Sequence, residues 1–259
     1  MSEAINTGPR EWDAETYDAI SDPQFNWGME VLERLQLRGD ETVVDAGCGS
    51  GRVTEELAKR LPGGRVIAVD GSEAMIAKAR ERLGEGATYV VSDLSELALP
   101  EPVDLIFSTA TFHWIVDHDR LFARLRENLA PGGRLVAQCG GEGNVAKHAL
   151  AIATVASAPE YLSHFEGMTS MWNFAAPEAT EARLRAAGFS AARCWLEPKP
   201  YTPAEPLRFT MTVTLGPHLA RLPEELRQPF AEAVLELCEQ PLTLDYVRLN
   251  IEAVTTASA

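Results

Sequence analysis

The stretch Val43-Val44-Asp45-Ala46-Gly47-Cys48-Gly49-Ser50-Gly51-Arg52 decides the fold. Its two β-branched residues read as the end of a buried strand, and glycines at every second position read as a turn with no room for side chains. Val53, Leu57 and Leu61 then recur at helical spacing. Strand, glycine turn and helix start make a cradle for a nucleotide-like ligand, because the glycines permit close backbone approach and the helix presents free N–H groups.

Downstream of the cradle, strands and helices alternate. Residues 65–70 read as a second strand ending in Asp70, followed by Ser72 as N-cap of a helix carrying Met75, Ala79 and Leu83. Thr88–Val91 is a third strand ending at Ser92-Asp93, and Val103–Phe107 a fourth. A helix with Leu121, Phe122, Leu125 and Leu129 on one face stops at Pro131-Gly132-Gly133, and residues 134–139 form a fifth strand. A helix over 177–187 ends at Gly188, before a sixth strand near 189–197. In the last stretch, Val247, Leu249, Ile251 and Ala253 alternate with polar residues, the pattern of a one-sided antiparallel strand. Strands one, two and four are apolar on both faces, as in a parallel sheet covered by helices on each side. The expectation is one α/β domain over residues 1–259, a doubly wound, Rossmann-like seven-stranded sheet, mostly parallel with a final antiparallel strand.

Three segments fall outside this frame. Residues 10–38 are rich in aromatics and are expected to form an N-terminal helical flap, with Tyr17 closing over the ligand and Trp27 in the core. Residues 143–176 and 200–240 are expected to be helical insertions that cap the open edge and form an acceptor pocket. The clearest helix of the second insertion runs near 223–239, with Phe230, Val234, Leu237 and Cys238 as its apolar stripe.

Composition narrows the classes of function. With 23 Lys and Arg against 38 Asp and Glu, the 259-residue chain carries a formal charge of −15. That balance argues against nucleic acid as partner, since phosphate binding needs clustered cations, and against an anionic membrane surface. No apolar run approaches the ~20 residues that span a bilayer. The N-terminus has neither the basic start nor the apolar core of a signal peptide, which points to the cytoplasm. The four cysteines are too widely separated for a zinc site or redox dithiol and read as buried free thiols, and no histidine cluster has metal-ligand spacing. Arg183, Arg185 and Arg193 read as solvated faces.

The chemistry follows from the acids around the cradle. A dinucleotide fold spaces its glycines GxGxxG, whereas here Gly47, Gly49 and Gly51 alternate and Arg52 stands where the third glycine belongs. Asp45, Asp70 and Asp93 lie at the carboxyl ends of consecutive strands, on the ligand edge of the sheet. An acid after strand two can accept both ribose hydroxyls, one after strand three can accept from an adenine amine, and one near the turn can face a cationic amine. This set does not suit a pyrophosphate. It suits a nucleoside bearing an ammonium and a sulfonium.

With VVDAGCGSG, AVDGSEAM, VVSDL, DLIFSTATFHW and LAPGGRLVA in order across residues 40–140, the sequence resembles the class I S-adenosylmethionine-dependent methyltransferases. The resemblance implies S-adenosylmethionine as cofactor, with Gly47, Gly49 and Gly51 beneath its methionyl part. Asp70 would hold the ribose, with Gly71, Ser72 and Met75 around the adenosine, Asp93 and Leu94 at the adenine edge, and Ser108 and Thr109 under the sulfonium. Phe112-His113-Trp114 and the late insertion look like the trans-aconitate and juvenile-hormone-acid type, which implies a small-molecule acceptor methylated at oxygen. Substrate-side candidates are Tyr17, His113, Trp114 and Trp172. His113 is the candidate catalytic residue, as base for a hydroxyl or thiol acceptor, as orienting donor, or as a packed structural residue. Competing readings are transfer to nitrogen, carbon or sulfur, a non-catalytic binding module, and a nicotinamide-dependent oxidoreductase, which Arg52 and the glycine spacing disfavour.

Overall fold

The computed structural model describes residues 22–168 and 172–257. Tyr17, with residues 10–21 of the expected flap, lies outside the described residues. Seven strands form one sheet in the order β3-β2-β1-β4-β5-β7-β6. They are β1 (Thr42–Ala46), β2 (Arg65–Asp70), β3 (Thr88–Val91), β4 (Val103–Thr109), β5 (Leu129–Gly140), β6 (Phe189–Pro198) and β7 (Val247–Thr255). β1 to β5 run parallel, and β7 runs antiparallel between β5 and β6. The strand order reverses between β1 and β4, which places the glycine turn at a topological switch point where open α/β sheets bind ligands.

Seven longer helices flank the sheet among the described residues: α1 (Asp22–Arg34), α2 (Arg52–Lys59), α3 (Glu73–Leu83), α4 (His118–Glu127), α5 (Ala146–Ala156), α6 (Pro177–Ala186) and α7 (Glu224–Glu236). Ser72 caps α3 as its position predicts, with Oγ accepting from the Met75 N–H at 3.3 Å. On one side of the sheet α1 and α2 bury Val31, Leu32 and Leu57 against Val43, Leu105 and Phe107. On the other, Leu121, Phe122 and Leu125 of α4 and Leu184 of α6 pack on Val44, Ile106, Leu135 and Ile251. A separate core joins α5 to α7 through Ile152, Val155, Phe230 and Val234, with Leu215 from the connecting turns.

Four expectations need correction. Leu129 does not extend the α4 face. It opens β5 opposite Val103, and Pro131-Gly132-Gly133 is an irregularity inside that pairing, not a helix stop. α7 ends at Glu236, and its buried face is Phe230, Ala231 and Val234, whereas Leu237 is 55% exposed. β7 is not one-sided. Because it sits between two strands and beneath α1, its polar residues Arg248 and Asn250 are buried as deeply as Leu249 and Ile251. Asn250 meets Arg34 at 2.6 Å, Gln138 at 2.9 Å and Glu197 at 3.3 Å, so its amide is satisfied within the fold. The described part of the flap, α1, is a core helix, with Val31 and Leu32 fully buried. Trp27 is buried as expected.

Candidate active site

The cradle is built from backbone and held by carboxylates. Gly47, Gly49 and Gly51 all have positive φ, at 84°, 54° and 83°. At Gly47 a methyl group would run into the Thr111 side chain, so the loop after β4 lies directly on the glycine turn. At Gly49 a methyl group would meet nothing within 4 Å. Asp70 braces this turn. One carboxylate oxygen accepts the Gly49 N–H and the other the Ser72 N–H, each at 2.9 Å. A single side chain thus ties the tip of the glycine turn to the start of α3.

The other acids differ in role from the simple picture of three carboxylates in a row. Asp45 is buried beneath the turn and accepts the Thr54 hydroxyl at 2.7 Å. Burial raises its carboxyl to about 7, the neighbouring Asp70 adds to the rise, and the Thr54 hydroxyl opposes it. Asp93 is half-buried and accepts the Ser95 N–H at 2.7 Å. Leu94 and Met75 turn their side chains into buried packing. Ser108 donates to the Ala46 carbonyl at 2.6 Å, so its hydroxyl is engaged within the sheet. Thr109 lies against Gly28 of α1.

A pocket opens beside the cradle from Ala110 onward. His113, Trp114 and Trp172 all line it. The sequence reading missed Gln24, Asn144, His148, Phe174, Tyr246 and Arg248, which line it too. The one signal for Arg248 in the sequence is its polar place in the alternation of β7. The only non-glycine residues with positive φ among the described ones, Ala110 (58°) and Val145 (48°), both line this pocket. Such conformations cost of order 1–3 kcal/mol each and concentrate at functional sites.

His113 is fixed on every side. Its ring stacks on Phe174 with centroids 5.9 Å apart and lies 5.2 Å from Trp114. The Gly140 N–H donates to its Nδ1 at 3.3 Å, which leaves the proton on Nε2. Burial, with help from the Arg248 and His118 charges, pushes its pKa well below the ordinary histidine value, so the ring is neutral. His148 is engaged at both nitrogens, by the Thr214 hydroxyl at 2.9 Å and by Cys238 Sγ at 3.6 Å. Burial lowers it to about 4.

The family profile described as a methyltransferase domain matches residues 43–133, from β1 through the start of β5. The trans-aconitate 2-methyltransferase of Methylobacterium nodulans is 33% identical over 186 residues, which cover 72% of this chain and 67% of that one. The chain belongs to the class I S-adenosylmethionine-dependent methyltransferases. The protein of the same description from Variovorax paradoxus is 39% identical over 150 residues, 58% of each chain. For the first curated relatives the match spans only about half to three-fifths of their length. Among solved structures, Haemonchus contortus phosphoethanolamine N-methyltransferase 2 with S-adenosyl-L-methionine shares the fold at a TM-score of 0.58 and 21% identity, over 95% of this chain and 57% of that one. A mycolic acid cyclopropane synthase does so at 0.61 and 13%, over 98% and 99%.

Membership in this methyltransferase family implies S-adenosylmethionine as cofactor, and the cradle fits it. The open space over Gly49, where a methyl group would meet nothing, is room for a ligand to lie on bare backbone. The carboxylates near it suit hydroxyls and a cation and not a phosphate. Among the described residues no group of three acids, histidines or cysteines would hold a metal, and no helix is long and apolar enough to cross a membrane.

Proposed function

We propose that this chain transfers the methyl group of S-adenosylmethionine to a carboxylate oxygen of a small molecule held in the pocket beside the cradle. When bound, the cofactor supplies an electrophilic methyl on a sulfonium. Gly47, Gly49 and Gly51 carry its methionyl part, Asp70 its ribose, with Gly71, Ser72 and Met75 around the adenosine and Asp93 and Leu94 at the base. Thr111, which touches Gly47 and follows the pocket residue Ala110, brings the acceptor against the reacting end.

One observation favours a carboxylate over a hydroxyl or thiol: neither pocket histidine is available as a base. His113 has its Nδ1 occupied by the Gly140 N–H, and His148 has both nitrogens engaged. A carboxylate is already ionised at neutral pH and needs no base. Bound S-adenosylmethionine would give its methyl group to that oxygen and leave as the thioether, so the product would be a neutral ester and no residue would need to take a proton. His113 then donates from Nε2 to orient the acid, Trp114 and Trp172 wall it from water, and catalysis is mainly alignment and water exclusion.

Calorimetric titration with S-adenosylmethionine, S-adenosylhomocysteine and NADH, on the wild type and Asp70→Ala, tests the donor. Both sulfur nucleosides should bind and the substitution should weaken them by roughly 100-fold, the scale of losing charge-assisted bonds. Binding of NADH alone would refute the proposal. A screen of carboxylic acids, phenols and amines with methyl-labelled cofactor tests the acceptor, and turnover confined to amines or phenols would refute the carboxylate assignment.

A further inference from the structure

The aromatic walls of the pocket come from two short pieces of chain. One is the helical turn Phe112–Trp114 that follows β4. The other is the irregular run 172–175 just before α6. Their rings meet in pairs across the pocket. Phe174 stacks on His113 with centroids 5.9 Å apart at 29°, and Trp172 lies 5.9 Å from Trp114. Trp172 and Phe174 also stack on each other at 5.7 Å and 14°, and both line the pocket. Asn173 stands between them in the chain, and its side chain reaches the other way, to Val116.

Asn173 fastens the two pieces to each other. Its backbone N–H donates to the His113 carbonyl at 2.9 Å, and its side-chain Nδ2 donates to the Val116 carbonyl at 2.8 Å. The Phe112 carbonyl takes the ring N–H of buried His118 at 3.0 Å, so the turn is held from α4 as well as from Asn173. The far end of the run is fixed by the Glu142 N–H, which donates to the Ala175 carbonyl at 3.1 Å. The Phe174 ring rests on Gly140, where a methyl group would run into it, and the Gly140 N–H is the donor to His113 Nδ1. The backbone bond of Asn173 survives any substitution there except proline, whereas the bond to Val116 depends on the amide. Val116 is 69% exposed, so water can take the place of that amide at its carbonyl. Losing the bond therefore disturbs geometry more than stability.

We propose that Asn173 is a positioning residue for the methyl acceptor: its amide bond to Val116 sets the spacing between the His113–Trp114 side of the pocket and the Trp172–Phe174 side. That spacing fixes the direction in which the acceptor faces the reacting end of the cradle. The proposal rests on the methyltransferase reading of this pocket and deepens it. Asn173 touches no reacting atom and acts through the two aromatic residues beside it. The Val116 carbonyl needs a donor, so a side chain of the same shape with only acceptors does not replace the amide. A displacement of about 1 Å at such a distance from the chemistry can cost on the order of 100-fold in rate.

The test uses the full chain with methyl-labelled S-adenosylmethionine and two acids, phenylacetate and trans-aconitate. Asn173→Asp keeps the shape and loses the donor, Asn173→Ala loses both, and Asn173→Gln keeps the donor on a longer stem. For each acid that the wild type methylates, the aspartate and alanine variants should lower kcat/KM by at least about tenfold, and the glutamine variant by less. The affinity for S-adenosylhomocysteine should change by less than about threefold and Tm should fall by less than about 3 °C, the scale of one exposed hydrogen bond. Wild-type kinetics in Asn173→Asp would overturn the proposal, as would acceptor and nucleoside affinities falling together in step with Tm, the mark of a merely structural residue. A second readout needs no acceptor. In the chain labelled with 5-fluorotryptophan and loaded with S-adenosylhomocysteine, Asn173→Asp should shift the fluorine resonances of Trp114 and Trp172 and leave that of Trp195 in place. Unmoved Trp114 and Trp172 signals would overturn the proposal. A wild type that binds the nucleoside and methylates neither acid would count against the carboxylate reading, and the fluorine shifts alone would then uphold or overturn the role of Asn173.

Discussion

The cradle and the pocket share a wall but are made in opposite ways. The cradle is backbone, bent by three glycines and tied by Asp70, and its parts lie between residues 42 and 93. The pocket is made of side chains gathered from α1, the loop after β4, the start of α5, the segment before α6 and β7, from Gln24 to Arg248. A ligand that meets bare backbone constrains which residues are absent. A ligand that meets side chains constrains which are present, and those can change without disturbing the turn.

The largest test of the contrast sits within the cradle. Gly47→Ala drives a methyl group into Thr111 at positive φ and should cost at least ~3 kcal/mol of stability in urea denaturation, or prevent folding. Gly49→Ala meets open space and should cost only about 1 kcal/mol for its left-handed backbone, yet reduce S-adenosylhomocysteine affinity more than tenfold by filling the ligand's place. Equal stability losses at the two positions would contradict the division between a structural and a ligand-facing glycine.

Acid should separate the two regions. His148 and His218, both lowered to about 4 by burial, lie on the pocket side. Their folded pKa is below the unfolded value of 6.5, so they favour the fold above pH 6.5 and lose that contribution as pH falls toward 4. Each should cost about 1 kcal/mol between pH 7.5 and 5.5. Asp45, raised to about 7 beneath the cradle, runs the other way. The fold binds its proton more tightly than the unfolded chain does, so its contribution grows by a similar amount over the same interval. His113 and His118, also lowered by burial, add to the histidine loss, so global stability should fall by at least about 1 kcal/mol, while hydrogen exchange at pH 5.5 speeds up in α5 and α7 and not in β1 and β2. Uniform acceleration would remove the contrast.

The smallest expected effect concerns Trp172, which is half-buried and stacks on Phe174. Trp172→Ala should raise acceptor KM about tenfold through lost aromatic contact and leave nucleoside affinity unchanged. A matching loss of nucleoside affinity would show that the two sites are not separable.

How much the sequence disclosed follows the same line. Strand spans 65–70 and 88–91, the Ser72 cap and the Asp70 position were readable because each depends on neighbours a few residues away. Leu129 was misplaced because the choice between a fourth helical turn and a strand opposite Val103 is made by a pairing 26 residues away in sequence. The burial of Arg248 and Asn250 is not legible because alternation reports one apolar face and says nothing of what covers the other. Here α1, more than 200 residues earlier, covers it. The tautomer of His113 was invisible for the same reason, since it is set by the N–H of Gly140.

The position of β7 also orders events during synthesis. β6 is joined to the sheet through β7 alone, because β7 stands between it and β5. When residues 189–198 leave the ribosome they have no strand to pair with until residues 247–255 follow. β1 to β5 already have every neighbour they need among themselves by residue 140. The glycine cradle can therefore assemble while the chain is still being made. The pocket waits for the strand that brings Arg248, so a prematurely terminated product would have the glycine turn without the wall that β7 adds to the pocket.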